Sequence, residues 1–367
     1  MLAKEFINKL LSNGYESFYG VPDSLMSSLS KSLEFDFKKV NNFITSNEGS
    51  ALSMAMGYNL STEKVPVIYL QNSGLGNIVN PYNSLLNDNI YDIPFLLLIG
   101  WRGEPGHLDE PQHFFQGQVT LEQLKIMKIN YSIIEDEDDF NNSIIKFKKN
   151  NSLNKPYALV IKRGFFDNDK RAFVEKNTDL SRSLALETIV NKFGSEPLYV
   201  STTGKLSREL YKYRNDKSQE HDDLYLIGGM GHAFSIGYSI AIENPKKLVV
   251  CLDGDGSILM HLGSMGIVSK KPIDNFIHIV FNNSSHESVG GQPNYFDNLD
   301  IKNLVYSLGY KSFIQVESIK EIKKINFNVA KPLFINVEIN NESEKNLIRP
   351  SKTPSEIKKN FVNKIKK

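Results

Sequence analysis

Short apolar runs that end in polar or glycine-rich turns recur along the whole chain. In the first half they read SFYGVPDS, NFITSNEGS, PVIYLQNSG, PFLLLIGWRG and YALVIKRG. In the second half they read PLYVSTTG, LYLIGGMG, LVVCLDGDG, FIHIVFNN and PLFINVEIN. Helical patterns lie between many of them, among them GSALSMAMGYNLS and GHAFSIGYSIAIEN. Buried apolar strands alternating with helices predict α/β architecture, with parallel sheets covered on both faces. Five such strands fall in each half. The stretch FFDNDKRAFVEKNTDLSR is polar, has no strong period, and reads as a linker. The expectation is two doubly wound domains of similar plan, 1–166 and 181–367, joined by a linker over 167–180.

Composition narrows the function classes. Lys+Arg number 43 and Asp+Glu 42, so nothing electrostatic argues for a nucleic-acid or membrane partner. The one cysteine, Cys251, excludes an intrachain disulfide, fits a reducing compartment, and reads as a small buried strand residue in VVCL. MLAKEFINKLLSNGY reads as an amphipathic helix without the apolar core of a signal peptide, and no run is long enough to span a bilayer. A cytoplasmic protein is expected. EDEDD at 135–139 and KFKKNN at 146–151 read as solvated surface, and the C-terminal KNFVNKIKK as an exposed amphipathic helix.

In open α/β sheets ligands bind beyond the carboxyl ends of the strands. The turns there hold Asp23, Glu48, Asn72, Arg102, Thr203, Gly204, Met230, Asp255 and Asn283. Two of these turns follow consecutive buried runs: LDGDGS at 252–257 and NNSS at 282–285. Mg²⁺ and Ca²⁺ take oxygen ligands. Asp255 offers a carboxylate between Gly254 and Gly256, Asn283 an amide oxygen, and Ser285 a backbone carbonyl. The glycines let backbone and phosphate approach closely. Taken singly, each cluster also reads as a tight turn. Taken together, they make a half-cage for a cation that carries a diphosphate.

GDG followed about 25 residues later by NN resembles the signature of the thiamine diphosphate-dependent enzymes. The resemblance implies two doubly wound domains, with no middle domain here because the linker is too short to hold one. It implies thiamine diphosphate and Mg²⁺ as cofactors, the metal held by Asp255, Asn283 and the Ser285 carbonyl. Gly254, Gly256 and Ser257 belong to the same cofactor turn. SNEGSALSMAMGY resembles the family's glutamate segment, in which Glu48 would hydrogen-bond the aminopyrimidine and promote its imino tautomer. Glu48 also reads as an acid at a helix N-terminus. In GGMGHA (228–233), Met230 matches the apolar prop for the bent cofactor, and the Gly228 carbonyl would take an amino hydrogen. Thr203 and Gly204 in STTGK are candidates for backbone contacts to the diphosphate. The family pattern further implies a homo-oligomer with the cofactor site between subunits.

Further segments narrow the resemblance. GVPDS, NEGSAL, YLQNSGLGN, NPYNSL, LLLIGWRGEPG and DEPQHFFQG lie in the first half; TTGKLSREL, SHESVGGQP and RPSKTP lie in the second. As a set they resemble the phosphonopyruvate-decarboxylating branch of the family, with the sulfopyruvate branch next. TTGKL departs from that pattern at Leu206, where a threonine is expected. The resemblance implies conversion of 3-phosphonopyruvate to phosphonoacetaldehyde and CO₂ through a thiamine diphosphate carbanion, on the way to phosphonates such as 2-aminoethylphosphonate. So anionic a substrate calls for cationic contacts. Arg102, His107 and His113 follow the fourth run, Arg163 ends the fifth, and His286 follows the metal turn. Arginine binds phosphonate in a fork, and histidine also moves protons near neutral pH. Asp23 is a further substrate candidate; His113 and His286 are candidate acids. Sulfopyruvate decarboxylation, another 2-oxo acid decarboxylase or carboligase, a thiamine diphosphate sensor and a ligand-free α/β repeat stay open as alternatives.

Overall fold

The computed structural model describes residues 1–173, 176–342, 344 and 347–367. Val174 and Glu175 of the expected linker, and Ser343, Lys345 and Asn346 of the expected second domain, lie outside the described residues. The chain forms two compact units. One is Met1–Phe173 with His286–Gln292; the other is Val174–Ser285 with Pro293–Lys367.

The first unit is built on a six-stranded sheet: β1 (Ser17–Gly20), β2 (Asn41–Ile44), β3 (Val67–Gln71), β4 (Leu96–Gly100), β5 (Asn130–Ile134) and β6 (Tyr157–Ile161). Its order is β2-β1-β3-β4-β6-β5, and every pairing is parallel. The second unit has β7 (Leu198–Ser201), β8 (Leu224–Tyr225), β9 (Val249–Gly254), β10 (Phe276–Asn282), β11 (Ser312–Val316) and β12 (Leu333–Glu338). Its order is β11-β12-β10-β9-β7-β8, again all parallel. Counted from the other edge, this is the first sheet's order with six added to each strand.

The central strands are apolar on both faces because both faces are covered. In β3, Val67 and Tyr69 face one core and Ile68 and Leu70 the other. In β9, Val250 and Leu252 face one core, Val249 and Cys251 the other. Each such side chain contributes roughly 1.5–3 kcal/mol on burial. β5 and β11 add a sixth strand to each sheet beyond the five expected. Both are edge strands, and each has a single fully buried residue, Ile134 and Val316. Covered on fewer sides, an edge strand needs no apolar run, and NYSII and SFIQV show none.

The strand order reverses between β1 and β3, and between β7 and β9. At such a switch point adjacent connections leave on opposite faces, opening a crevice at the carboxyl edge. Among the described residues no helix is long and apolar enough to cross a membrane.

Candidate active site

In the second unit, Gly254 ends β9 and Asp255 opens the short helix Asp255–Met260. The Asp255 carboxylate is buried, accepts from Asn294 Nδ2 at 2.8 Å, and is approached by the amides of Gly256, Ser284 and Ser285. Burial outweighs these bonds and pushes its pKa up to about 6. Asn283 is buried just past β10, with Oδ1 accepting from Ser285 N at 3.1 Å. Ser284 turns the chain with φ 55°, held by its N–H to Asn282 Oδ1 at 3.0 Å. The buried Ser285 hydroxyl has no partner among the described residues. Carboxylate, amide and turn backbone are thus knotted together, and every donor to a ligand is a hard oxygen. A buried carboxylate with a raised pKa beside an amide oxygen fits a divalent cation of the Mg²⁺ or Ca²⁺ kind.

Three strand-end turns converge on Ser257. Its Oγ lies 3.1 Å from Thr202 Oγ1, just past β7, and accepts from Gly231 N at 3.1 Å. Thr203 and Gly204 follow on a half-buried turn, Gly204 at φ +97° leading into the helix Lys205–Asp216. Met230 sits between Gly229 at φ +68° and Gly231 at φ +89°, with its side chain exposed; Gly228 before it is half-buried. A Cβ on Gly231 would stand 2.6 Å from the His261 ring and 2.9 Å from Met260 Cβ, so only glycine fits. Beneath the turn, Asp253 Oδ1 accepts from Gly254 N, and His278 bridges from Asp253 Oδ2 to Tyr310 OH at 3.4 and 3.0 Å.

In the first unit, Asn47 caps the helix Glu48–Thr62, its Oδ1 accepting from Ser50 N at 2.9 Å. Glu48 is buried at that helix's first position and accepts from Asn77 Nδ2 at 2.7 Å. Its Oε1 lies against Gly74, where a Cβ would come within 2.3 Å. Asp23, past β1, is fully buried; burial raises its pKa against the opposing pull of Gln71, which donates at 2.7 Å, and of Arg102.

Past β4, the loop from Trp101 folds around Asp109. This carboxylate receives Arg102 Nε at 2.8 Å and Arg102 Nη2 at 2.5 Å, with Gly103 N at 2.9 Å and Glu110 N at 2.8 Å. Arg102 Nη1 donates to Ser24 Oγ at 3.0 Å, and Asn72 holds the Arg102 backbone from both sides. The Arg102 fork is therefore engaged within the protein. Arg163 reaches Asp109 at 3.3 Å with its side chain 60 % exposed. His113 is buried with Nδ1 unpartnered among the described residues, and burial, then Arg102, pushes its pKa down. His107 points outward, 3.8 Å from Glu104. His286 is grouped with the first unit, and burial pushes it down to about 4.

The structure thus gathers Asp255, Asn283 and Ser285 in one knot, joins Ser257 to the neighbours of Thr203 and Met230, and clusters Arg102 and Arg163 on Asp109. His107 stands apart. Asp109, Asn77, Asn294 and Thr202 were not singled out from the sequence. Asp109 carried a signal in the DEPQH segment. Asn294, 39 residues after Asp255, carried none.

Residues 1–126 match the family description "Thiamine pyrophosphate enzyme, N-terminal TPP binding domain", and residues 202–337 match the corresponding "C-terminal TPP binding domain". A phosphonopyruvate decarboxylase of Streptomyces viridochromogenes is 29% identical over 381 residues, covering 98% of this chain and 94% of the relative. Another, from Streptomyces hygroscopicus, is 30% identical, covering 98% of this chain and 92% of the relative. Sulfopyruvate decarboxylase subunit beta of Methanocaldococcus jannaschii is 34% identical over 38% of this chain and 71% of its own length. With two thiamine diphosphate-binding domains and likeness along its whole length, the chain belongs to the phosphonopyruvate decarboxylase family of thiamine diphosphate-dependent carboxy-lyases, which decarboxylate 2-oxo acids.

Proposed function

We propose that the enzyme converts 3-phosphonopyruvate to phosphonoacetaldehyde and CO₂ in the biosynthesis of phosphonates of the 2-aminoethylphosphonate type. The full-length likeness to two relatives of that name supports this reading. The observation that carries it is the loop past β4 and β6, where Arg102 and the exposed Arg163 meet the Asp109 carboxylate near the buried His113. Mg²⁺ would be held by Asp255, Asn283 and the Ser285 carbonyl, a donor set of oxygens suited to it.

Bound thiamine diphosphate supplies the electron sink that lets a 2-oxo acid lose CO₂. Glu48, fixed by Asn77 and by the close approach of Gly74, presents Oε1 as a hydrogen-bond partner for the aminopyrimidine. Met230, exposed between two left-handed glycines, offers an apolar surface, and the Gly228 carbonyl an acceptor. Thr203 and Gly204, with Gly254, Gly256 and Ser257, offer backbone to the diphosphate. Arg102 is spent on Asp109 and Ser24, so it orders the loop, and the exposed Arg163 guanidinium is the freer phosphonate ligand. Asp23 fixes Gln71 at the same edge. His113 and His286, both pushed toward neutral imidazole, are the groups that move a proton to or from the reacting carbon. The working form is a homo-oligomer with the cofactor between subunits; sedimentation of the purified chain is expected to give at least a dimer, and a monomer at working concentration would refute this.

Arg163→Ala tests the substrate reading. Losing a charged hydrogen bond to phosphonate is expected to raise KM for phosphonopyruvate about tenfold or more. KM for pyruvate, which lacks the phosphonate, should change little. Equal effects on both would remove Arg163 from the site. The likeness to a sulfopyruvate decarboxylase subunit favours sulfopyruvate as the second reading, and a tighter KM for sulfopyruvate would select it.

A further inference from the structure

Beneath the Asp255 turn, two polar side chains lie deep in a stretch of core that is otherwise apolar. Asp253 is the last buried residue of β9 and is 1% exposed; His278 stands on β10 and is fully buried. Aromatic rings surround His278: Phe334 at 5.3 Å, Phe234 at 5.5 Å, Phe276 at 6.0 Å and Tyr310 at 6.3 Å between ring centroids. A phenylalanine would suit such a box, and burying a polar ring there costs free energy unless its nitrogens are bonded. Both nitrogens have partners. His278 Nε2 lies 3.4 Å from Asp253 Oδ2, and Nδ1 lies 3.0 Å from Tyr310 OH. Facing a carboxylate, Nε2 must carry its hydrogen, so the ring donates to Asp253.

A buried polar pair of this kind adds little net stability, since apolar residues of the same volume often serve as well or better. Its place in the fold gives it another use. Asp253 Oδ1 accepts from Gly254 N at 2.9 Å, and Gly254 leads directly into Asp255. His278 lies on the strand that runs up to Asn283. The two strands pair in parallel with Cys251 beside His278 and Asp253 beside Val280, so the Asp253–His278 contact crosses them diagonally. One bond thus ties the arm that carries Asp255 to the arm that carries Asn283.

We propose that His278 is a positioning residue for the divalent cation: acting through Asp253, it sets the spacing of Asp255 and Asn283 without touching the ion. This assignment rests on the reading above that those two residues hold the cation.

Mn²⁺ binding, rather than turnover, tests it. Mn²⁺ is titrated into the full chain with thiamine diphosphate present, and free Mn²⁺ is read from its paramagnetic resonance signal. The parent is expected to bind one Mn²⁺ per chain. His278→Phe fills the aromatic box but has no donor, and is expected to weaken Mn²⁺ about tenfold or more. His278→Gln, which returns an N–H toward Asp253, is expected to recover most of that loss. If the unpaired Asp253 charge keeps His278→Phe from folding, Asp253→Leu combined with His278→Phe removes charge and bond together, and the same weak binding is expected of it. Unchanged Mn²⁺ affinity in the folded variants, or a His278→Gln protein as weak as His278→Phe, would overturn the proposal. A parent that binds no Mn²⁺ would remove the cation site itself, and the role of His278 with it.

Discussion

The carboxylate of Asp109 takes two bonds from Arg102, one each from the amides of Gly103 and Glu110, and an ion pair from Arg163. Arg102 and Arg163 were legible in the sequence as cations after apolar runs. Their common partner was not, because which acid of a loop faces an arginine depends on how the loop folds. The strand-end places of Asp255 and Asn283 were legible for the opposite reason: a polar residue straight after a buried run must sit at the carboxyl edge. These bonds hold the Asp109 carboxyl well below the ordinary carboxylate range despite its burial. Its folded-state pKa being depressed, its contribution to stability is full above the unfolded pKa of about 4 and drains as pH falls below it. Asp109→Asn is expected to cost about 2–3 kcal/mol at neutral pH by leaving Arg102 underpaired. That deficit should shrink in acid. Urea unfolding of both proteins across pH checks this, and a pH-independent deficit would mean that the charge of Asp109 is not what stabilises the loop.

At the scale of elements, the buried strands announced themselves and the edge strands β5 and β11 did not. VIYLQ and FIHIVFN need apolar residues on both faces; NYSII and SFIQV do not, and so lack the signal. The packing of the loop past β4 onto the helix Pro111–Ile126 was also invisible, since it rests on two glycines far apart in sequence. A Cβ on Gly117 would fall 1.7 Å from the Gly103 carbonyl oxygen, and one on Gly103 1.9 Å from that of His113. Backbone stands where the methyl would go, so nothing flexible yields. Gly117→Ala is expected to lose roughly 2–4 kcal/mol and to raise KM for substrate, as the helix backs away from the Arg102 loop. Denaturant midpoints read the first effect and steady-state kinetics the second. An alanine variant as stable as the parent would show that this helix is not packed through Gly117.

At the scale of the whole molecule, two sheets of one strand order carry two different chemistries. The crevice of the first sheet holds Glu48 and the arginine loop; that of the second holds the Asp255 knot and the Ser257 junction. On the proposed reading neither set alone would suffice for decarboxylation, because one would orient the cofactor's base and the other would hold its diphosphate and metal. The most direct test is release of phosphonoacetaldehyde from phosphonopyruvate by the full chain. Thiamine diphosphate and Mg²⁺ are supplied together or singly omitted, and Glu48→Gln is run in parallel. Turnover should need both cofactors and should fall about a hundredfold or more in Glu48→Gln, with circular dichroism unchanged. Turnover that persists without thiamine diphosphate, or a Glu48→Gln enzyme as fast as the parent, would contradict it.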